Sequence, residues 1–228
     1  MTDRFNRITA LLGNDAMAKL QNATVMVVGC GAVGSFAIEA IARCGVGHIV
    51  LVDFDTVEES NINRQLFALE STVGQPKVDV AAARIHDINP DSDVVAIKTF
   101  FDNKTEIDIK PDFVIDAIDT VDSKIALYKW CVAHDVAFAA SMGAALKTDV
   151  AKVQVAKISK TSVCPLAARV RKLARDAKLP DFPVVFSTEP ANKSAATLGR
   201  VFGSIVTVTG LFGLRLANVA IRHIIGEN

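Results

Sequence analysis

Residues 25–65 read VMVVGCGAVGSFAIEAIARCGVGHIVLVDFDTVEESNINRQ, and this stretch limits the fold more tightly than any other. An apolar run at 25–28 breaks at Gly29-Cys30-Gly31-Ala32-Val33-Gly34. An amphipathic run follows, and a second apolar run at 49–52 stops at Asp53. Strand, glycine turn, helix, strand and acid, in that order, describe a nucleotide-binding βαβ unit. Gly29, Gly31 and Gly34 let backbone approach phosphate, and the helix start supplies N–H donors and positive potential. Asp53 stands where it can bond ribose hydroxyls. These features alone do not separate NAD from ATP.

The remaining periodicity extends the unit into a sheet. Residues 4–21 read as helix with a turn at Gly13, where Asn14 or Asp15 can cap the second piece. Strands are expected at 23–28, 48–52, 94–98, 113–118 and 136–140. Helices are expected at 33–44 (Val33, Ala37, Ile41 and Cys44 inward), 60–66, 77–88 (Val78, Ala81, Ala82 and Ile85 inward) and 123–134. Pro76 suits the start of the third of these, because its missing N–H would have no partner there. The run 113–118 is almost wholly apolar, as a strand covered on both faces should be. Residues 102–108 read as a weak helix or loop.

After Met142-Gly143 the character changes. A one-face-exposed strand at 153–158 is followed by a helix at 165–177 with Leu166, Val170 and Leu173 inward. A strand at 183–186, a polar loop at 192–200 and an apolar helix at 201–225 complete the chain. The expected fold class is α/β. It is a Rossmann-like, mostly parallel sheet flanked by helices, with late antiparallel strands and a C-terminal apolar helix. One domain over 1–228 is expected, with 1–140 as nucleotide-binding core and 141–228 as the substrate-facing, dimer-forming part. The uncharged run 201–214 falls short of the roughly 20 residues a membrane span needs, so it reads as a buried or dimer-interface helix and membrane association is not expected.

Lys+Arg and Asp+Glu are equal at 25 each, so global charge points to no polyanionic partner. A local basic set is present nonetheless. Lys147, Lys152, Lys157, Lys160, Arg169, Arg171, Lys172, Arg175 and Lys178 face only Asp149 and Asp176 within that stretch. Cys30, Cys44, Cys131 and Cys164 form no C-x-x-C pair, which removes the zinc-ribbon reading. No secretion segment leads the chain, so a cytoplasmic location with reduced thiols is expected. His48, His86, His134 and His223 lack ligand spacing, and Tyr128 and Trp130 read as packing residues on a helix.

The discriminating residues follow Asp53. Asp55, Asn61, Asn63, Arg64 and Gln65 come next, and Lys77 opens the following helix. A dehydrogenase satisfies its pyrophosphate with the glycine turn and has little use for an added Arg and Lys. An enzyme attacking a triphosphate must offset charge that builds on the phosphate and on departing pyrophosphate. A planar Arg64 and a point-charge Lys77 suit that task. No G-x-x-x-x-G-K-[ST] occurs, so attack at the α-phosphate, that is adenylation of a carboxylate, is the expectation. Asp116, Asp119 and Asp122 lie at the end of the fourth strand, where open α/β sheets bind ligands. Asp119 is the preferred Mg²⁺ ligand; Asp116 reads as structural and Asp122 as a helix cap.

The combination G-C-G-A-V-G-S, D-F-D-T-V, N-I-N-R-Q, V-G-Q-P-K and D-A-I-D resembles the superfamily of ubiquitin-activating-type adenylating enzymes. This superfamily includes the adenylyltransferases of molybdopterin and thiamine synthesis. The resemblance implies that the glycine turn and Asp53 hold ATP. It implies that Asn61, Arg64 and Lys77 contact its phosphates, that Asp119 holds Mg²⁺, and that Arg7 reaches the nucleotide of a partner subunit in a homodimer.

In the second half, S-M-G-A-A-L-K-T-D, I-S-K-T, C-P-L-A-x-x-V-R and V-V-F-S-T-E are similar to the tRNA threonylcarbamoyladenosine dehydratases. That likeness implies ATP-dependent cyclisation of the modified nucleoside with loss of water, and a tRNA partner. Lys160, Arg169 and Arg171 lie in the matching motifs and are the expected tRNA contacts. Adenylation of a ubiquitin-like sulfur carrier is the alternative, and the superfamily also allows a sulfur-relay partner protein. Cys164 stands where the dehydratases more often carry Asp, which leaves a thiol role open.

Overall fold

The computed structural model describes residues 3–192 and 202–227. Two short helices, α1 (Asn6–Leu12) and α2 (Asn14–Asn22), meet at Gly13 and precede β1 (Thr24–Val28). The chain continues through α3 (Gly34–Arg43), β2 (His48–Val52), α4 (Lys77–Ile88), β3 (Asp93–Ile97), β4 (Phe113–Asp116), α5 (Val121–Ala133) and β5 (Ala137–Ser141). It ends with β6 (Val153–Lys157), α6 (Pro165–Asp176), β7 (Pro183–Ser187) and α7 (Val206–Ile225).

The strands form one seven-stranded sheet in the order β3-β2-β1-β4-β5-β7-β6. Every neighbouring pair is parallel except β6 with β7, so the antiparallel part of the expectation resides in the β6 edge. Strand order reverses between β1 and β4. In such sheets the crevice at the carboxyl ends of the strands flanking this switch is where ligands bind.

Alternation along β1 feeds two cores. Val25 and Val27 pack with α3, α4 and α7, while Met26 and Val28 pack with α5, α6 and the 101–109 loop. Helix α7 is long and apolar enough to cross a membrane by length and composition. It buries Val208, Gly210, Phe212, Gly213, Leu216, Ala217 and Ala220 instead, many of them in the core shared with α3. Its glycines permit that packing. A Cβ on Gly213 would lie 2.2 Å from the carbonyl oxygen of Val33 and 2.8 Å from Phe36 Cβ.

Several sequence expectations are corrected. Residues 60–66 are not a helix but a three-residue 3-10 turn, Glu59–Asn61, followed by turns. Asn61 Oδ1 accepts the Glu58 N–H, a local bond that competes with helix growth. Asp122 does not cap α5; Thr120 occupies that position and Asp122 sits in the first turn, where its charge favours the helix dipole. In α6 the inward set is Ala167, Val170 and Ala174. The small alanines allow close approach, and Leu166 and Leu173 are half-buried at the flanks. On α3 the buried apolar set includes Ile38 and Ala42 rather than Val33 and Cys44, and Ala82 of α4 is only half-buried. Residues 202–205 precede α7 without helix, and the polar loop at 192–200 lies, beyond Asn192, outside the described residues.

Gly213→Ala should lower stability by about 1–3 kcal/mol, the usual cost of forcing volume into a filled contact. Gly203→Ala, which meets no atom within 4 Å, should be nearly neutral. Urea unfolding of both variants checks the pair.

Candidate functional site

The site grows from the end of β1. Gly29 adopts φ +95°, a conformation that favours glycine, and a Cβ there would lie 2.7 Å from the Ala117 carbonyl oxygen. A Cβ on Gly34 would lie 1.7 Å from the Gly29 carbonyl oxygen, so the turn closes backbone on backbone. Gly29 N–H donates to Val52 O at 2.8 Å, which ties the turn to β2. At the start of α3 the Ser35 N–H donates to Gly31 O at 2.9 Å and the Ala37 N–H to Val33 O at 3.2 Å, so the glycine turn winds directly into the helix, whose N-terminus carries positive potential.

Asp53 braces this turn. Its Oδ2 accepts the Cys30 N–H at 2.6 Å and its Oδ1 accepts the Asp55 N–H at 2.9 Å. Each carboxylate oxygen keeps a second acceptor site, so ribose contact remains chemically open. Cys30 is buried, and that burial, then the Asp53 charge, pushes its thiol well above the ordinary value. The thiol is an inert packing group.

Lys77 is delivered by a local bridge. Thr56 pairs with Pro76, Val57 N–H donates to Gln75 O at 2.8 Å, and Lys77 N–H donates to Asp55 O at 3.0 Å. The D-F-D-T-V and V-G-Q-P-K motifs are thereby zipped together. Lys77 Nζ lies 2.8 Å from Asp55 Oδ2, with its side chain largely buried. Asn61 and Gln65 are also buried, and Leu66 N–H donates to Ser35 Oγ at 3.0 Å, fixing their turn to the start of α3. A Cβ on Gly31 would lie 3.8 Å from the Gln65 amide nitrogen. Phe54 and Phe100 form an exposed edge-to-face pair 5.0 Å apart at the ends of β2 and β3.

Gly29, Gly31, Gly34, Asp53, Asp55, Asn61, Gln65 and Lys77 are therefore brought together. Arg64 is close by, but its Nη1 donates to Ser60 O at 2.7 Å and to Asn63 Oδ1 at 2.8 Å, within its own turn. Asp119 is exposed after β4 and makes no side-chain hydrogen bond or ion pair among the described residues. Arg7, on α1, is not brought to the site by its own chain. The neighbouring Arg4 donates to Ile88 O and Phe5 packs by Gly45, both at the amino end of the sheet. A groove of ≈ 970 Å³ also opens at that end, lined by Phe113, Ala137, Pro183 and Arg222 among others, and contains none of the candidate site residues.

Two arrangements escaped the sequence reading. The first lies beneath the Asp119 turn. Asp116 Oδ1 accepts the Ile118 N–H at 2.9 Å. Its Oδ2 accepts from Lys124 Nζ at 2.7 Å and from the Tyr128 hydroxyl, all fully buried. Lys124 Nζ also donates to Ser141 O at 2.8 Å, joining β4, α5 and β5. Burial, then the Asp116 charge, holds the Tyr128 hydroxyl well above its usual value. The available signal was a Lys and a Tyr four apart, on one face of the helix after D-A-I-D. Asp116 is structural, as expected.

The second is a clamp after β7. Glu189 accepts the N–H groups of Thr148 and Asp149, and buried Lys147 donates to the Glu189 carbonyl. The Asp149 N–H holds the Glu189 carboxyl below the usual range; burial opposes it, and the Thr148 donors and the Lys147 charge add to the lowering.

Of the cations expected to meet tRNA, Lys160 and Arg169 are exposed. Arg171 is instead tied to Thr161, donating to its carbonyl at 2.9 Å and to its hydroxyl. That change follows from the altered facing of α6. Cys164 is buried at the N-cap of α6, beside Gly143.

The ThiF family model matches residues 5–228. The chain is 49% identical over 193 residues to the tRNA threonylcarbamoyladenosine dehydratase of Bacillus subtilis, covering 83% of this chain and 76% of that protein. It is 34% identical over 150 residues to the molybdopterin-synthase adenylyltransferase of Escherichia coli, covering 64% of this chain and 59% of that one. The crystal structure of the E. coli tRNA N6-threonylcarbamoyladenosine dehydratase in complex with ATP superposes with a TM-score of 0.90 at 34% identity. That alignment covers 98% of this chain and 94% of the other.

Lys124→Met would leave the Asp116 carboxylate buried and unpaired, and should cost about 3–5 kcal/mol of stability. Tyr128→Phe keeps the ring stacking and should cost about 1–3 kcal/mol. Equilibrium unfolding in urea measures both. The Glu189 clamp contributes stability above the unfolded glutamate value of about 4.3 and loses it as pH falls through the lowered folded value. Glu189→Gln should therefore flatten the acid side of a urea-midpoint-against-pH curve; an unchanged curve would remove Glu189 from that linkage.

Proposed function

The chain belongs to the ThiF family, and from that membership we propose that it is an ATP-dependent tRNA threonylcarbamoyladenosine dehydratase. The observation that carries the adenylation chemistry is Lys77, held 2.8 Å from Asp55 beside the glycine turn. A cation fixed there, beside the glycine turn and the N-terminus of α3, suits the phosphates of ATP. Residues 1–228 act as one catalytic unit. The glycine turn, Asp53, Asn61 and Gln65 bind the nucleotide, and the Phe54–Phe100 pair offers its base an aromatic edge.

The threonyl carboxylate oxygen attacks the α-phosphorus, and the bond to pyrophosphate breaks. Lys77 and Arg64 offset the charge that moves onto the phosphate oxygens, Arg64 exchanging its bonds to Ser60 and Asn63 for phosphate. A carbamoyl atom then attacks the acyl carbon and gives up its proton, and AMP departs. Both reacting groups belong to one nucleoside, so their effective concentration is high and no protein nucleophile is required. Buried Cys164 has no part in this chemistry.

Among the described residues no group of three or more His, Cys, Asp or Glu could hold a metal ion. Mg²⁺ bound mostly by phosphate and water oxygens needs one or two carboxylates, and Asp119 supplies one. When bound, that ion would offset phosphate charge. The resemblance to the adenylating superfamily implies that Arg7 reaches the nucleotide of a partner in a homodimer, and the place of α1 at the far end of the sheet from its own chain's site is compatible with that role. The four cysteines are free, in keeping with a cytoplasmic location.

A second reading, adenylation of a ubiquitin-like sulfur carrier with a sulfur-relay partner, draws on the 34% identity to the molybdopterin-synthase adenylyltransferase. The lack of C-x-x-C pairs weighs against it.

With ATP, Mg²⁺ and tRNA carrying threonylcarbamoyladenosine, the protein should form AMP and a nucleoside lighter by one water, read by mass spectrometry. Unchanged nucleoside, with AMP made on a carrier protein instead, would select the second reading. Arg64→Ala and Lys77→Ala should each lower turnover by about 10²–10³-fold in a folded protein. Full activity in both would end the adenylation assignment.

A further inference from the structure

The cations between Lys147 and Lys178 divide into those with partners and those without. Lys147 donates to the Glu189 carbonyl, Lys157 to the Asp181 carbonyl and Arg171 to Thr161, and Lys152 lies 3.6 Å from Asp149. On α6, Arg169, Lys172 and Arg175 are exposed and recur every three residues, so they share the outer face. Arg169 and Lys172 make no hydrogen bond or ion pair among the described residues. Arg175 meets only the adjacent Asp176, at 3.6 Å with both side chains well exposed, a pairing of little worth. Arg43 and Arg84, by contrast, share Glu39. In a chain of zero net charge, this face is left cationic.

The face has a direction. Helix α6 feeds β7, which runs parallel to β5, so α6 descends from the carboxyl end of the sheet to the amino end. Its upper end abuts the loop after β5: a Cβ on Gly143 would lie 3.3 Å from Cys164 Sγ. From Arg169 to Arg175 the helix rises about 9 Å. No large hydrophobic side chain of α6 is exposed, so the face lacks the apolar anchors a protein interface is built on. Unpaired cations without such anchors suit phosphodiesters.

We propose that the outer face of α6, through Arg169, Lys172 and Arg175, is a track for the phosphate backbone of structured RNA, leading from the reaction crevice down the flank of the sheet. The identity of the RNA as tRNA rests on the dehydratase reading. Arg171, assigned to RNA by its motif, takes no part in the track.

The test is filter binding of tRNA to wild type and to the Arg169→Gln/Lys172→Gln/Arg175→Gln triple variant between 50 and 200 mM KCl. Each lost contact should reduce the log-log salt slope by about 0.7–0.9, so the fall in affinity over that range should be roughly twenty- to forty-fold smaller in the variant. Its unfolding midpoint should be unchanged, because the three side chains are exposed. Lys110→Gln, a cation exposed before β4, should keep the wild-type slope. A triple variant with the wild-type slope overturns the track, and leaves the dehydratase reading standing if wild type still makes AMP on the tRNA. A slope lost equally in Lys110→Gln also overturns it, since net charge alone would then explain the effect. Wild type that binds no tRNA overturns both.

Discussion

Around the start of α3, three glycines stand where no side chain fits. Gly34 lies against Gly29, Gly29 against Ala117 and Gly213 against Val33, each at a distance that a Cβ would violate. Strands β1 and β4, helix α3 and helix α7 are thus registered on one another through bare backbone. Side-chain contacts adapt by rotamer changes; these contacts cannot. The glycine turn and the start of α3 inherit that rigidity, and a preorganised backbone is what a phosphate site needs.

One device is used twice around this point. Asp53 ends β2 and accepts the N–H of Asp55; Asp116 ends β4 and accepts the N–H of Ile118. Each aspartate folds its own following residues into a turn. Each also has a second oxygen bound elsewhere, to the Cys30 N–H in one case and to buried Lys124 and Tyr128 in the other. The two strands on either side of β1 therefore end in carboxylate-braced turns. One presents Asp55 with Lys77, and the other presents Asp119. Either partner of the buried Asp116–Lys124 pair would be costly alone, so each commits the other to this arrangement.

Elements with strong periodicity were legible from residue types. Strand β2 and helix α4 begin and end where patterning put them, and the glycine turn with its following acid located the crevice. Where tertiary contacts choose between equivalent local options, legibility failed. For α6, Leu166-Val170-Leu173 and Ala167-Val170-Ala174 are both sound helical stripes, and only the neighbouring elements decide between them. For 60–66, the Asn61 side chain captured backbone that helix propensity had claimed. The purpose of Gly210 and Gly213 exists only in the presence of Phe36 and Val33. Tyr128 read as a packing residue, and the burial of Lys124 follows only from the Asp116 carboxylate that it meets. The cations of the basic stretch were visible as a set, but which were already engaged was not.

The seam between α3 and α7 also sets a timetable. Its halves are separated by the 162 residues from 44 to 205, so loop closure must precede it and little local structure can stand in for it. During synthesis the glycine turn and its helix leave the ribosome well before α7, with one side still uncovered. The apolar stripe of α3 must wait for α7, exposed to misassociation or to a chaperone in the interval. Nucleotide affinity should therefore appear only after α7 has been made, and not with the segment whose motif announces it.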